Sequence, residues 1–202
     1  MKFHFRFVCF FLLGAGVAML ASCGRHATPS ERTTFTHTDS LTETYLILQD
    51  TLLQAWNLVI RKEQEKRETM DKVIQHLLKM SAADRSQLTS LAARFEQLNR
   101  LHIMPKTLTN HYVLEEHDFA AKSLVSEILS LSESNPGVIG DKGFSQLIDR
   151  IKVADQRTFV YRSGYDSIAH QFNIFLKRNK LFLMDLEKNG SLEARPTFGV
   201  NE

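Results

Sequence analysis

The chain has 202 residues, carries a formal net charge of +2 and is 43% hydrophobic. This length and apolar content allow one domain with a sizeable core. A charge so close to zero argues against a nucleic-acid partner, because such partners need a strongly basic surface.

Residues 1–22 have the layout of a secretory signal. Lys2 and Arg6 make its start positive, and the apolar run over residues 7–20 is shorter than the ~20 residues that a membrane-spanning helix needs. The run ends at Leu20-Ala21-Ser22-Cys23, where an aliphatic residue and two small residues precede a cysteine. This pattern resembles the lipobox of bacterial lipoproteins. An ordinary signal peptide, or an uncleaved anchor, with a chance cysteine is the alternative.

The lipobox resemblance implies signal cleavage between Ser22 and Cys23, and acyl chains on Cys23 that hold the protein to a membrane. Two or more such chains make the anchor effectively stable. Cys9 leaves with the signal, so the mature chain has no thiol for a disulfide, a nucleophile or a metal site. Gly24 after the cysteine favours transfer to the outer membrane, facing the periplasm, over retention at the inner membrane.

Beyond the signal we predict three parts. Residues 23–39 are the lipidated cysteine and a flexible tether, because they are rich in Thr, Ser, Arg and His and show no apolar period. Residues 40–190 form a helical domain, and residues 191–202 form a C-terminal tail. The domain has no run with a strand-like period, so the prediction is an all-α fold, an antiparallel bundle of long helices.

The first helix is expected to start with Asp39 or Ser40 as its cap. Residues 62–69 interrupt its apolar series, and Glu63–Arg67 and Glu68–Lys72 have the i,i+4 spacing of a solvated helix. We interpret residues 62–72 as an exposed stretch or a kink within one long helix; a docking surface is the alternative. The apolar series comprises Leu41, Tyr45, Leu48, Leu52, Ala55, Trp56 and Val59, then Met70, Val73, Leu77 and Met80.

Two further helices follow. Ser81 and Asp84 have the spacing of a capping box, so a second helix that carries Leu88 to Leu101 starts there, unless the first helix continues through this point. Met104-Pro105 ends that segment, since the residue before proline avoids the helical region. The next helix is predicted over residues 107–134, and Asn135-Pro136-Gly137 breaks the chain after it.

The longest apolar series runs from Phe144 to Leu176 and predicts a helix of about 45 Å with Asp141 as its cap. Its spacing is close to the 3.5-residue period of a bundle seam. Polar residues between the apolar ones, among them Asp155, Arg162 and Asp166, are expected at solvent or at helix edges. The apolar positions are Phe144, Leu147, Ile151, Ala154, Tyr161, Tyr165, Ile168, Phe172 and Phe175.

From Glu133 to Asn173 the sequence resembles the LemA family, a group of bacterial membrane-associated helical proteins. The residues that carry the resemblance are Pro136, Phe144, Leu147, Ile151, Asp155-Gln156-Arg157, Arg162, Tyr165-Asp166 and Phe172-Asn173. The chain departs from the family at Trp56, where a proline usually stands, and at Asp166, the usual place of an asparagine. The resemblance implies an antiparallel bundle of long helices and no enzymatic activity.

Tyr165-Asp166 and Phe172-Asn173 are one heptad apart, so both aromatic residues are expected to face the core. We expect Asp166 and Asn173 to bond to a neighbouring helix or to cap a loop, and so to fix the register of the bundle; a polar patch that reads a partner is the alternative. Arg157 and Arg162 are expected to pair with surface carboxylates, where such pairs contribute little.

Motifs for catalysis or for a cofactor are missing. The sequence has no di-iron Glu-x-x-His pattern, His-Glu-x-x-His motif, phosphate-binding glycine loop or Gly-x-Ser-x-Gly elbow. His111 with Glu115, and His117 with Asp118, form one local cluster, which we interpret as solvated helix surface. We therefore predict a non-catalytic envelope protein that binds a protein partner without a cofactor or a metal. A ligand- or metal-binding bundle with a pocket between helices is the alternative.

Overall fold

The computed structural model describes residues 35–80, 85–135, 138, 140–187 and 192–199. These residues form five α-helices and contain no strand, so the predicted all-α bundle is confirmed. The helices are α1 (His37–Met80), α2 (Arg85–Arg100), α3 (His111–Glu133), α4 (Lys142–Arg178) and α5 (Lys180–Leu186), and a 3-10 turn (Pro105–Thr109) precedes α3. The chain divides into two units, Met1–Ser40 and Leu41–Glu202, and the packing described below is that of the second.

Two separate hydrophobic cores hold the second unit together. The first core joins the C-terminal half of α1 to α2, α3 and the N-terminal part of α4; its buried residues include Met70, Leu77, Leu91, Phe95, Leu124, Ile128, Phe144 and Ile151. The second core joins the N-terminal half of α1 to the C-terminal half of α4; it includes Tyr45, Leu52, Val59, Leu114, Tyr165, Phe172, Leu183 and Phe198. Since opposite halves of α1 and α4 meet, these two helices run antiparallel.

The long helix α4 is present over nearly the predicted span, and its cap is the predicted one. The Asp141 carboxylate accepts a hydrogen bond from the Phe144 backbone N–H at 3.0 Å. Of the predicted stripe, Phe144, Ile151, Tyr165 and Phe172 are buried. The expectation that Arg162 and Asp166 lie at solvent or at helix edges is wrong, because both side chains are buried and have partners on other segments.

The first helix starts earlier than predicted, and its cap is not Asp39 or Ser40. The helix begins at His37, and Thr36 and Asp39 exchange hydrogen bonds across its first turn. The Thr36 hydroxyl accepts from the Asp39 N–H at 3.1 Å, and the Asp39 carboxylate accepts from the Thr36 N–H at 2.8 Å. Asp39 is therefore the reciprocal partner in a capping box that Thr36 opens.

Helix α1 continues through the charged section without interruption and ends at Met80. The next helix begins at Arg85, while Ser81 and Asp84 lie outside the described residues. Helix α2 ends at Arg100, four residues before the predicted stop at Met104-Pro105. The helix predicted from residue 107 begins at His111, because Pro105 first opens the 3-10 turn and the Asn110 side chain then accepts from the Val113 N–H.

The described part of the predicted tail packs on the bundle. After α5, residues Leu192–Gly199 have no helix or strand, and Phe198 in this C-terminal segment belongs to the second core. Sequence spacing could not show this, since a single aromatic residue has no period. In the described part of the chain, every helix is too short or too polar to cross a membrane.

Candidate functional site

A layer of charged side chains separates the two hydrophobic cores. This interior charge layer consists of Glu63, Lys66, His117, Asp118, Asp155 and Arg162. On α1, Glu63 and Lys66 lie between Val59 of the second core and Met70 of the first. Glu63 pairs with Lys66 and Arg162 and not with its predicted i,i+4 partner Arg67. The interpretation of residues 62–69 as fully solvated is wrong for Glu63 and Lys66, because both are buried.

Arg162 is the centre of the layer. Its Nη1 donates to Asp118 Oδ2 at 2.5 Å and its Nη2 donates to Asp118 Oδ1 at 2.9 Å, so the guanidinium binds this carboxylate with two parallel hydrogen bonds. Nη2 also donates to Glu63 Oε1 at 3.2 Å. The Arg162 side chain is only 8% exposed. It thus ties α4 to α3 and α1 from the interior, and the expected surface pairing of Arg162 is wrong.

Lys66 extends the layer along α4. Its ammonium lies 3.6 Å from Glu63 Oε2 and 3.5 Å from Asp155 Oδ1, and it donates to the Thr158 hydroxyl at 3.3 Å. His117 contributes its Nδ1, which lies 3.3 Å from Asp118 Oδ1. Buried charges are costly unless they are paired. In this layer, the Lys66 ammonium and the Arg162 guanidinium each have a carboxylate within ion-pair distance.

The layer holds its main carboxylate in the ionised state. Burial raises the pKa of Asp118, but the hydrogen bonds from His117 and Arg162 and the charge of the guanidinium outweigh burial and hold the pKa well below its usual range. Burial likewise lowers the pKa of Arg162, but Asp118 and Glu63 outweigh it and raise the pKa. Groups with such pKa values are poor proton donors or acceptors near neutral pH, so their chemistry is that of a fixed ion pair.

A second polar arrangement on α4 holds the C-terminal segment. We call Tyr165, Asp166 and Asn173 the clamp. The Asn173 amide donates to the Arg195 carbonyl at 2.8 Å and accepts from the Arg195 N–H at 2.7 Å. The Tyr165 hydroxyl donates to the Pro196 carbonyl at 3.1 Å, and Asp166 accepts from the Phe198 N–H at 2.7 Å. The clamp therefore binds backbone groups of residues 195, 196 and 198.

Phe198 enters an aromatic box. Its ring stacks on Trp56 at 6.1 Å and 19°, and it meets Tyr165 edge to face at 5.7 Å and 81°. The Arg162 guanidinium carbon lies 4.9 Å from the Phe198 centroid, a cation–π distance. Arg162 thereby connects the interior charge layer to the aromatic box.

A charged groove of about 550 Å³ runs between α1 and α4. Residues 62–72, for which a docking surface was the alternative interpretation, form one wall of the groove. The inner face of this stretch, Glu63 and Lys66, belongs to the interior charge layer. The groove carries cations and carboxylates from both helices, and Val153 and Tyr161 add apolar surface. Its lining residues are Lys62, Glu65, Glu68, Thr69, Lys72, Asp149, Arg150, Val153, Ala154, Arg157 and Tyr161.

The structure separates the residues that the sequence singled out. Arg157 is exposed and lines the charged groove, whereas Arg162, Tyr165, Asp166 and Phe172 are buried and Asn173 is half-buried. Ser22 and Cys23 lie outside the described residues.

The histidine cluster also divides into two parts. His111 and Glu115 form an exposed pair at 3.1 Å, but His117 is buried, so the solvated-surface interpretation is wrong for that residue. Both oxygens of Asp118, its neighbour, already accept hydrogen bonds from Arg162. Within the described ranges, no group of three or more His, Cys, Asp or Glu side chains is arranged to hold a metal ion.

Sequence reasoning missed the interior charge layer, although the sequence contains a signal for it. Val59, Glu63, Lys66 and Met70 follow one another at steps of four, three and four, which places the two charged residues on the heptad seam. On α4, Arg162 lies three residues before the buried Tyr165, which places it on the seam of that helix as well. A charged residue at a seam position needs a buried partner, and that requirement could have been read from the sequence.

Neither the models of known protein families nor the curated proteins match this chain.

Proposed function

We propose that this protein is a lipid-anchored, non-catalytic helical protein of the bacterial envelope, of LemA type, that acts as a protein-interaction or scaffold module. Its Cys23 would carry the acyl chains, and it would face the periplasm from the outer membrane. The lipobox-like residues 20–23 and the resemblance over residues 133–173 support this proposal. The observation that carries the interaction role is the charged groove between α1 and α4.

The groove is suited to a protein segment. Each wall is part of one uninterrupted helix, of 44 residues for α1 and 37 for α4, so the backbone positions that carry the charges are fixed before a partner arrives. Both signs are present: Lys62 and Arg157 represent the cations, and Glu65 and Asp149 the carboxylates. Alternating charges give specificity and faster association more than raw affinity. We therefore expect a helix or an extended segment that carries charges of both signs.

The interior charge layer supports a scaffold role. Polar residues at seam positions of a helical bundle fix which helices meet and at what register. Here Arg162 joins Asp118 on α3 and Glu63 on α1, so sliding any of these helices by one turn would separate buried charges. The groove walls are thus held in a single register.

The alternative, a small-ligand-binding bundle, draws on the same groove. Its volume falls within the ~300–1,000 Å³ that ligand pockets usually have. Its lining, however, is dominated by charged side chains on an open face, whereas ligand pockets are mostly apolar and enclose their ligand. The groove therefore favours a protein partner over a small molecule.

Charge reversal tests the interaction role. Arg150→Glu with Arg157→Glu reverses two charges on the α4 wall of the groove. Lys177→Glu with Arg178→Glu is the matched control on the same helix, at least ~24 Å beyond the last groove residue, Tyr161. In-cell cross-linking and mass spectrometry should recover an envelope protein with wild type and with the control, but not with the groove variant. Equal recovery from all three would show that the groove is not the binding surface.

Cys23→Ala tests the anchor. Membrane fractionation combined with metabolic labelling by a fatty acid should show loss of label, and the variant should either leave the membrane or keep its signal uncleaved. If the variant stayed labelled and membrane-bound, Cys23 would not be the acylated residue. Thermal-shift screening of the wild type against metals and small ligands tests the alternative function separately.

A further inference from the structure

We propose that the clamp and the aromatic box form a peptide-binding site for extended segments of the pattern Pro-x-Phe, and that the C-terminal segment occupies this site in an exchangeable manner. The partner would be a protein that presents a proline followed two residues later by an aromatic residue. This site is distinct from the charged groove, and the inference does not depend on the proposed function.

The clamp recognises backbone and not side chains. Asn173 pairs with both the N–H and the C=O of Arg195, which resembles the way in which an added strand pairs with a sheet edge. Asp166 accepts from the Phe198 N–H at 2.7 Å. Every peptide carries these backbone groups, so the clamp fixes direction and register without requiring this particular chain.

Selectivity comes from two positions. At position 198 the box of Trp56, Tyr165 and Arg162 accepts a flat aromatic ring, which receives stacking on one side and a guanidinium on another. At position 196 the Tyr165 hydroxyl binds the backbone carbonyl. Proline suits this position, because it has no N–H that would stay unpaired and its ring favours an extended backbone.

The C-terminal segment is held by contacts that can open locally. Of residues 192–199 only Phe198 is buried, and the segment forms no helix or strand. Segments with few buried apolar contacts open at a lower free energy than the global unfolding of a domain. A peptide in trans competes with a tethered segment whose effective concentration is on the order of millimolar. A partner therefore binds well only when it matches the site better than the chain's own segment does.

Trp56 provides a direct assay, because it is the single tryptophan of the chain and lies against Phe198. In full-length Phe198→Ala we expect Trp56 emission to shift to the red. Adding the synthetic peptide Leu192–Gly199 should reverse the shift at or below about millimolar concentration. The same peptide with alanine in place of Phe198 should have no effect. Combining Phe198→Ala with Asn173→Ala should weaken binding of the wild-type peptide by at least about tenfold.

Two results would overturn the proposal. The first is a Phe198→Ala protein with unchanged helical circular dichroism that does not bind the peptide; if this variant does not fold, Phe198→Leu takes its place under the same criterion. The second comes from hydrogen exchange in the wild type. The Arg195 and Phe198 amides should exchange faster than the amide of Ala169 in the second core. Exchange of all three only by global unfolding would make the segment a fixed part of the core.

Discussion

Replacing Arg162 by methionine should lower the free energy of unfolding by about 3 kcal/mol. Methionine keeps an unbranched side chain of similar length, so the main loss is the positive charge between Asp118 and Glu63. Removing one partner from a buried ion pair usually costs ~3–5 kcal/mol, because the remaining charge stays buried without compensation. The Asp118 side chain is 31% exposed and can regain water, while that of Glu63 is only 9% exposed but keeps the Lys66 ammonium at 3.6 Å. We therefore expect the lower end of that range.

Urea unfolding followed by circular dichroism measures this loss. For a domain of this size, ~3 kcal/mol corresponds to a decrease in Tm of roughly 6–12 °C. Arg157→Met is the matched control, since it removes the same charge from an exposed position of the same helix and should change stability by less than ~0.5 kcal/mol. The double variant Arg162→Met, Asp118→Leu should recover part of the loss, because apolar side chains often replace a buried ion pair without a net cost and Glu63 keeps Lys66 as its partner.

A loss below about 1 kcal/mol for Arg162→Met would refute this reasoning, because it would mean that water reaches the layer and screens its charges. A double variant as unstable as the single one would also contradict it. In that case the loss would come from altered packing around residue 162 and not from the carboxylate of Asp118.

Three further results are expected. Folding lowers the pKa of Asp118. Its contribution to stability is therefore present above its unfolded pKa of about 3.9 and is lost as the pH falls through the lower folded value. In urea titrations from pH 6 to pH 2, the free energy of unfolding should decline less steeply for Asp118→Asn than for wild type. Asp141→Ala removes the N-cap of α4 and should cost about 1 kcal/mol in urea unfolding, while Asp141→Asn, which keeps an acceptor, should cost less. Burial raises the pKa of Tyr165 from 10.0. The stability that its neutral hydroxyl provides is therefore present below pH 10 and is lost as the pH rises through the pKa of the folded state. A change in Trp56 emission should appear above pH 10 in wild type and be absent in Tyr165→Phe.

The local features of α4 could be predicted because they depend on nearby residues. The spacing of Phe144, Ile151 and Phe172 gives a helix that buries one face, and Asp141 lies three residues before an N–H that it can accept from. Both the extent of this helix and its cap follow from the sequence alone. The start of α1 was placed too late, because Asp39 was interpreted as the cap itself, whereas Asp39 is the acidic partner three residues after the cap Thr36.

The interior charge layer and the clamp could be predicted only in part, because their partners are far apart in the sequence. The seam positions of Glu63 and Arg162 indicate that each needs a buried partner, but the sequence does not show that they meet each other and Asp118. Asp166 and Asn173 were expected to contact a helix or to cap a loop, but they accept hydrogen bonds from backbone N–H groups of the C-terminal segment, at Phe198 and Arg195. Spacing shows which residues share a helix face, and only packing shows what that face meets.

Site-specific photo-cross-linking in living cells tests the interaction role most directly. A photoreactive residue at Tyr161 lies in the charged groove, and one at Phe119, on the exposed face of α3, serves as the control. We expect the probe at position 161 to capture a specific envelope protein, the probe at 119 to miss it, and Arg150→Glu with Arg157→Glu to abolish the capture. Capture of the same proteins from both positions, or of none from position 161, would contradict a binding role for the groove.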